Sequence, residues 1–143
     1  MKTILLIHGP NLNRLGKRDA QHYGSVTLSD IENLVRDEAR KADIEVKAFQ
    51  SNHEGELIDF LQAESESAAG IIINPGAFTH YSYALHDAIK DTGLPAIEVH
   101  LSDIKKRETW RQMSVIAPAC VLQISGKKEQ GYVEALAELQ KRI

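Results

Sequence analysis

A single cysteine, Cys120, stands in a chain of 143 residues, which excludes an intramolecular disulfide and a thiolate metal cage. Its apolar setting, Cys-Val-Leu-Gln-Ile, marks it as a small buried hydrophobe rather than a reactive thiol. Long apolar runs are also missing. The N-terminal stretch Met-Lys-Thr-Ile-Leu-Leu-Ile is too short for a signal peptide, and nothing approaches a membrane span. The expected compartment is therefore cytoplasmic, with no membrane partner. A net charge of −3 supplies no field to draw in nucleic acid. Neither GxGxxG nor GxxxxGK[ST] occurs, and no serine sits in a nucleophile elbow. What remains is a chain with 43% hydrophobic and 26% charged residues, ordinary for one globular domain spanning 1–143. Its expected partners are small molecules or copies of itself.

Apolar runs suited to buried parallel strands occur at 3–8 and 70–74, with further strands expected at 45–50, 95–100 and 120–125. Helical periodicity fills the intervals. The first helix is expected to end near 43, capped by Thr27 or by a Ser29-x-x-Glu32 box, with Leu28, Ile31, Leu34, Val35, Ala39 and Ala42 inward. The second spans about 54–67 and buries Leu57, Ile58 and Leu61. The third sets Tyr81, Ala84, Leu85, Ala88 and Ile89 on one face before a C′ glycine, Gly93. A short helix is expected at 106–113, and a last one from 129 with Val133, Leu136, Ala137 and Leu139 inward. Five strands alternating with helices predict an α/β, flavodoxin-like, doubly wound five-stranded parallel sheet in the order 2-1-3-4-5. Ligands of such a sheet bind at the carboxyl ends of its strands, beside the switch point between strands one and three.

Residues 8–24, HGPNLNRLGKRDAQHYG, form a connection too long and glycine-rich for an idle loop, and 16–25 are expected to act as a lid. Arg14, Lys17 and Arg18 point to an anionic ligand. Tyr23 offers a proton-transfer group, but an unperturbed phenol is only about one part in a thousand ionised at neutral pH. A neighbouring guanidinium favours tyrosinate, so Arg18 is the natural activator if Tyr23 is a base rather than an aromatic anchor. Glu98 and His100, two apart in a strand, share a face and suit a carboxylate-held general acid. Asn11 and Asn74 offer non-titrating donors and acceptors for hydroxyls or an enolate. Backbone N–H groups of Leu101 and Ser102, beyond the last strand pairing, are placed to hold a carboxylate, with Arg111 in reach. His80, His86 and His100 do not form a metal triad, because six residues turn a helix by about 240°. No metal and no cofactor is expected. The runs Lys105-Lys106-Arg107 and Lys127-Lys128 are short and are expected to be solvated.

Together HGPNLNRLG, Arg18-x4-Tyr23-Gly24, INPGAFTHYSYALHDAI and IEVHLSD resemble the signature blocks of the type II 3-dehydroquinate dehydratases of the shikimate pathway, over nearly the whole chain. The resemblance implies a flavodoxin-like enzyme that removes water from 3-dehydroquinate by anti elimination through an enolate, without cofactor or metal. By matching position, Tyr23 is the base, Arg18 keeps it ionised and Asn11 helps hold the enolate through a water. His100 is the acid, oriented by Glu98. Asn74, His80, Leu101, Ser102 and Arg111 match substrate-binding positions, and Asp87 matches a residue supplied by a neighbouring subunit of a dodecamer built from trimers. Asp19-Ala20 replaces the family's usual Glu-Pro, which implies a looser empty lid; His8 stands where some members have Asn.

The alternative is a non-catalytic flavodoxin-like binding module. A receiver needs an acidic cluster at the ends of strands one and three, where this chain carries His and Asn. The same dehydration through a lysine Schiff base needs a buried lysine, and no expected strand end offers one.

Overall fold

The computed structural model describes residues 1–143. Strands β1 (Lys2–His8), β2 (Ile44–Gln50), β3 (Gly70–Asn74), β4 (Ala96–His100) and β5 (Leu122–Ser125) form one parallel sheet in the order β2-β1-β3-β4-β5. This is the flavodoxin-like doubly wound arrangement. Helices α2 (Leu28–Lys41) and α5 (Gln130–Gln140) cover one face, α3 (Glu54–Glu64) and α4 (Tyr83–Thr92) the other. The single turn α1 (Ala20–Tyr23) lies within the long first loop. No helix is long and apolar enough to cross a membrane.

The period-two alternation of buried strands divides the core. Ile4, Leu6, Ile72, Ile97 and Val99 meet α2 and α5, whereas Leu5, Ile7, Ile71, Ile73 and Ala96 meet α3 and α4. The same parity assigns the polar strand ends. Asn74 follows Ile72 towards α5, while Glu98 and His100 follow Ala96 to the opposite face.

Several expected details shift. Thr27 caps α2, but its box partner is Asp30 rather than a Ser29–Glu32 pair: the Thr27 hydroxyl accepts from Asp30 N–H at 3.1 Å, and the Asp30 carboxylate accepts from Thr27 N–H at 2.9 Å. In place of the helix expected at 106–113 the chain makes two short 3₁₀ turns, Ile104–Lys106 ending where that segment begins and Thr109–Arg111 within it. Tyr81 is exposed ahead of α4, and Ala84 faces solvent, leaving Leu85, Ala88 and Ile89 as the buried stripe. The inward face of α5 is Gly131, Tyr132, Ala135, Leu136 and Leu139, so Val133 and Ala137 lie off it. This rotation brings Tyr132 into the core, where it can reach β3. Cys120 precedes β5 and is partly rather than fully buried; its surroundings still push the thiol up to about 12 by desolvation.

Candidate active site

The loops after β1 and β3 are interlocked before any functional side chain is placed. A Cβ on Gly9 would sit 2.2 Å from the Pro75 carbonyl oxygen, and Gly76, at φ +60°, would bring one 2.9 Å from that of Pro10. Only glycine allows so close a backbone approach. Gly9 N–H donates to Asn74 O at 2.8 Å, closing the switch point. Asn11, also left-handed at φ 69°, turns the chain into the 3₁₀ turn Leu12–Arg14, and its N–H donates to Asn52 Oδ1 at 3.0 Å. Its side chain is left on the wall of a cleft.

That cleft encloses about 570 Å³ when the space at its open mouth is counted. Asn11, Arg18, Tyr23, Asn74, His80, His100, Leu101, Ser102 and Arg111 all line it. They come from four separate segments at the carboxyl edge of the sheet. Glu98 lies directly behind the wall, 0% exposed. Asp87 does not reach the cleft of its own chain: on α4 its carboxylate is 74% exposed and pairs with His86 Nδ1 at 2.9 Å.

His100 is fixed by its strand neighbour. Its Nε2 lies 2.5 Å from Glu98 Oε2, so Nε2–H donates to the carboxylate and Nδ1 remains as the working atom. Asn74 is held at both ends of its amide: Nδ2 donates to the Tyr132 hydroxyl at 3.1 Å and Oδ1 accepts from Gly76 N–H at 3.1 Å. Burial pushes the Tyr132 hydroxyl well above the ordinary phenol range. It therefore remains a neutral support. His80 Nδ1 donates to Met113 O at 2.7 Å, which leaves Nε2 as an acceptor. Burial holds His80 below the ordinary imidazole value of 6.5, against the opposing pull of that hydrogen bond. The carbonyls of Leu101 and Ser102 accept from Lys128 and Gly126 N–H, while their own N–H groups have no partner in the chain. Two unpaired amides beside the Ser102 hydroxyl make a cradle for an anion.

Two guanidinium groups converge on Tyr23. Arg18 stacks on the ring, its Cζ 3.8 Å from the centroid. Arg107 approaches the hydroxyl itself, donating from Nη1 at 2.9 Å, with the Ser102 hydroxyl 3.4 Å from the same nitrogen. The expectation that Lys105-Lys106-Arg107 is a solvated run is thus wrong at Arg107, whose side chain is 11% exposed. Its buried Nε has no hydrogen-bond partner in the chain. The loop also has more order than its composition suggests. Asp19 caps α1, accepting from Gln21 N–H at 2.9 Å and contacting His22 Nδ1 at 2.6 Å, and Lys128 Nζ donates to Gln21 O at 2.9 Å.

The sequence model of the family described as "Dehydroquinase class II" matches residues 2–140. The chain belongs to this family. The 3-dehydroquinate dehydratase of Caldicellulosiruptor bescii is 53% identical over 141 residues, covering 98% of this chain and 97% of the relative. That of Bacillus mycoides is 50% identical over 143 residues, covering 100% and 98%. The crystal structure of the type II dehydroquinase from Butyrivibrio crossotus has a TM-score of 0.94 at 42% identity, over 97% of each chain.

For this class II dehydroquinase chain, the residues missed in sequence are those that act through another side chain. Arg107, Tyr132, Ser114 and Gln123 belong to no signature block. Arg107 was hidden inside a basic run. A hint for Gln123 was available, since a polar residue interrupts the apolar run of the last strand.

Proposed function

We propose that the chain is a 3-dehydroquinate dehydratase that converts 3-dehydroquinate to 3-dehydroshikimate by anti elimination through an enolate. The observation that carries the proposal is the shared cleft: a tyrosine hydroxyl held by a guanidinium and an imidazole held by a buried carboxylate line the same cavity. Tyr23, as tyrosinate, takes the C2 proton, and the electron pair moves towards the C3 carbonyl to form the enolate. Asn11 holds the enolate oxygen through a water. As the enolate collapses, the C1–O bond breaks, His100 delivers a proton from Nδ1, and water leaves with the C1=C2 bond formed. Protons and electrons balance on these groups alone.

Binding follows from the remaining wall. The Leu101 and Ser102 amides take the carboxylate, while Asn74, His80 Nε2 and Arg111 address the ring hydroxyls. Arg111 is positioned by Glu108, which accepts from its Nε at 3.1 and 3.2 Å. No lysine lines the cleft, so a Schiff-base route has no amine to use. We further propose a homo-oligomer, a dodecamer of trimers, in which Asp87 completes a neighbour's site. Its exposure supports this, as does Tyr83, 70% exposed and one turn earlier on the same face of α4.

Purified protein mixed with 3-dehydroquinate is expected to raise the ultraviolet absorbance of a conjugated enone. No signal at micromolar protein would return the chain to a binding module.

A further inference from the structure

The carboxylate behind the acid is itself held from two sides. Glu98 lies in β4 directly opposite Gln123 of β5 in the parallel register. The Gln123 amide reaches across and donates from Nε2 to Glu98 Oε2 at 2.9 Å, the same oxygen that accepts from His100. The other oxygen, Oε1, accepts from the Ser114 hydroxyl at 2.8 Å. Ser114 is locked in turn, its Oγ accepting from the N–H groups of Ile116 at 3.2 Å and Ala117 at 2.9 Å. With both backbone amides pointed at its lone pairs, its hydroxyl hydrogen is free for Glu98 alone.

This arrangement decides a proton position. An ionised carboxylate is acceptor-only, and a fully buried one is costly unless its oxygens are satisfied. Three donors meet the Glu98 carboxylate, and none of them is a formal cation while His100 is neutral. The nearby charged and titratable groups lie farther out: His80 from the turn after β3, Arg107 and Arg111 from the segment after β4, Tyr23 and Arg18 from the lid, and Cys120 ahead of β5. The donors in direct contact therefore determine whether the pair can carry the negative charge left after His100 has delivered its proton.

We propose that Gln123 is a positioning residue for the general acid, and that its amide, with the Ser114 hydroxyl, keeps Glu98 ionised so that His100 presents Nδ1 to the cleft and releases its proton readily. The inference rests on the proposed dehydratase reading for its consequence in turnover, but not for its effect on the imidazole.

Gln123→Met keeps the length and removes the donor. The deprotonated pair, with its net negative charge, then loses a hydrogen bond that the protonated pair needs less, so the imidazole holds its proton to higher pH. The ¹⁵N titration midpoint of His100 is expected to move upward by about one unit, and kcat to fall about three- to tenfold with KM little changed. Gln123→Glu tests the same point with nearly the same shape. It supplies a donor only while the two carboxyl groups share a proton, so its activity relative to wild type at the same pH is expected to rise as pH falls. An equal loss of kcat in Gln123→Met without movement of the His100 midpoint would assign Gln123 a merely structural role and overturn the inference. So would a Gln123→Glu profile parallel to wild type. Because the midpoint is read by NMR without substrate, failure of this inference is distinct from failure of the dehydratase assignment.

Discussion

A phenol that must act as a base near neutral pH needs positive charge close to its oxygen, and Tyr23 has two candidates in different places. Arg18 lies over the ring face, whereas Arg107 hydrogen-bonds the hydroxyl, where charge develops on ionisation. A charge-assisted hydrogen bond exceeds a stacked contact in strength, so Arg107 is expected to carry the larger share of activation. Arg107→Ala should shift the rising limb of the kcat/KM profile to higher pH by about 1–3 units. At pH 7 this means a rate about 10- to 1000-fold lower, partly restored at alkaline pH. Arg18→Ala should shift the limb less, and Tyr23→Phe should recover nowhere. An Arg107→Ala limb that coincides with wild type, with the rate depressed evenly, would show that the arginine serves the substrate rather than the base. Motif spacing made Tyr23, Arg18, Glu98 and His100 legible because strand parity and loop composition are local. Arg107 was not, because a solvated arginine and a largely buried one are the same letter.

At the scale of elements, the contact between β1 and α2 sets a dependence on acid. His8, fully buried at the end of β1, places Nε2 3.5 Å from Glu32 on α2, at the long limit of a hydrogen bond from the imidazole to the carboxylate. The imidazole beside it lowers the Glu32 carboxyl below its ordinary 4.5, more than burial raises it. A carboxyl whose folded-state value is depressed binds its proton more readily in the unfolded chain. Its stabilising contribution is therefore complete above the ordinary value and is lost as pH falls through the lower folded one. Glu32→Gln should flatten the decline of stability between about pH 5 and pH 3, measured as urea midpoints across a pH series. An unchanged slope would mean that the imidazole does not perturb the carboxyl. Element types followed from periodicity, but two expectations at this scale failed for physical reasons. The 106–113 segment makes the 3₁₀ turn Thr109–Arg111 instead of a helix, with Arg111 Nε donating to Glu108 and Gln112 Nε2 donating to the Arg107 carbonyl around it. The buried stripe of α5 is set by where the sheet lies beneath it, which a helical wheel does not contain.

For the whole molecule, the exposed Asp87 predicts a result that no single chain can give. Asp87→Ala and Tyr23→Phe chains, each inactive, should regain part of the activity when unfolded and refolded together, because some mixed sites then hold both residues. No regain in proven mixed oligomers would place Asp87 outside the site. By itself the sequence determined the alternation of strands and helices and the polar residues at the strand ends, since periods of 2 and 3.6 and strand-end positions are properties of neighbours along the chain, and the expected strand order 2-1-3-4-5 is the one the sheet adopts. Only the tertiary structure decided which cation meets the Tyr23 oxygen, that Tyr132 supports Asn74, and that Gln123 and Ser114 hold Glu98. Those contacts join residues 84, 58, 25 and 16 positions apart, and their existence depends on sheet register and helix rotation rather than on any local pattern.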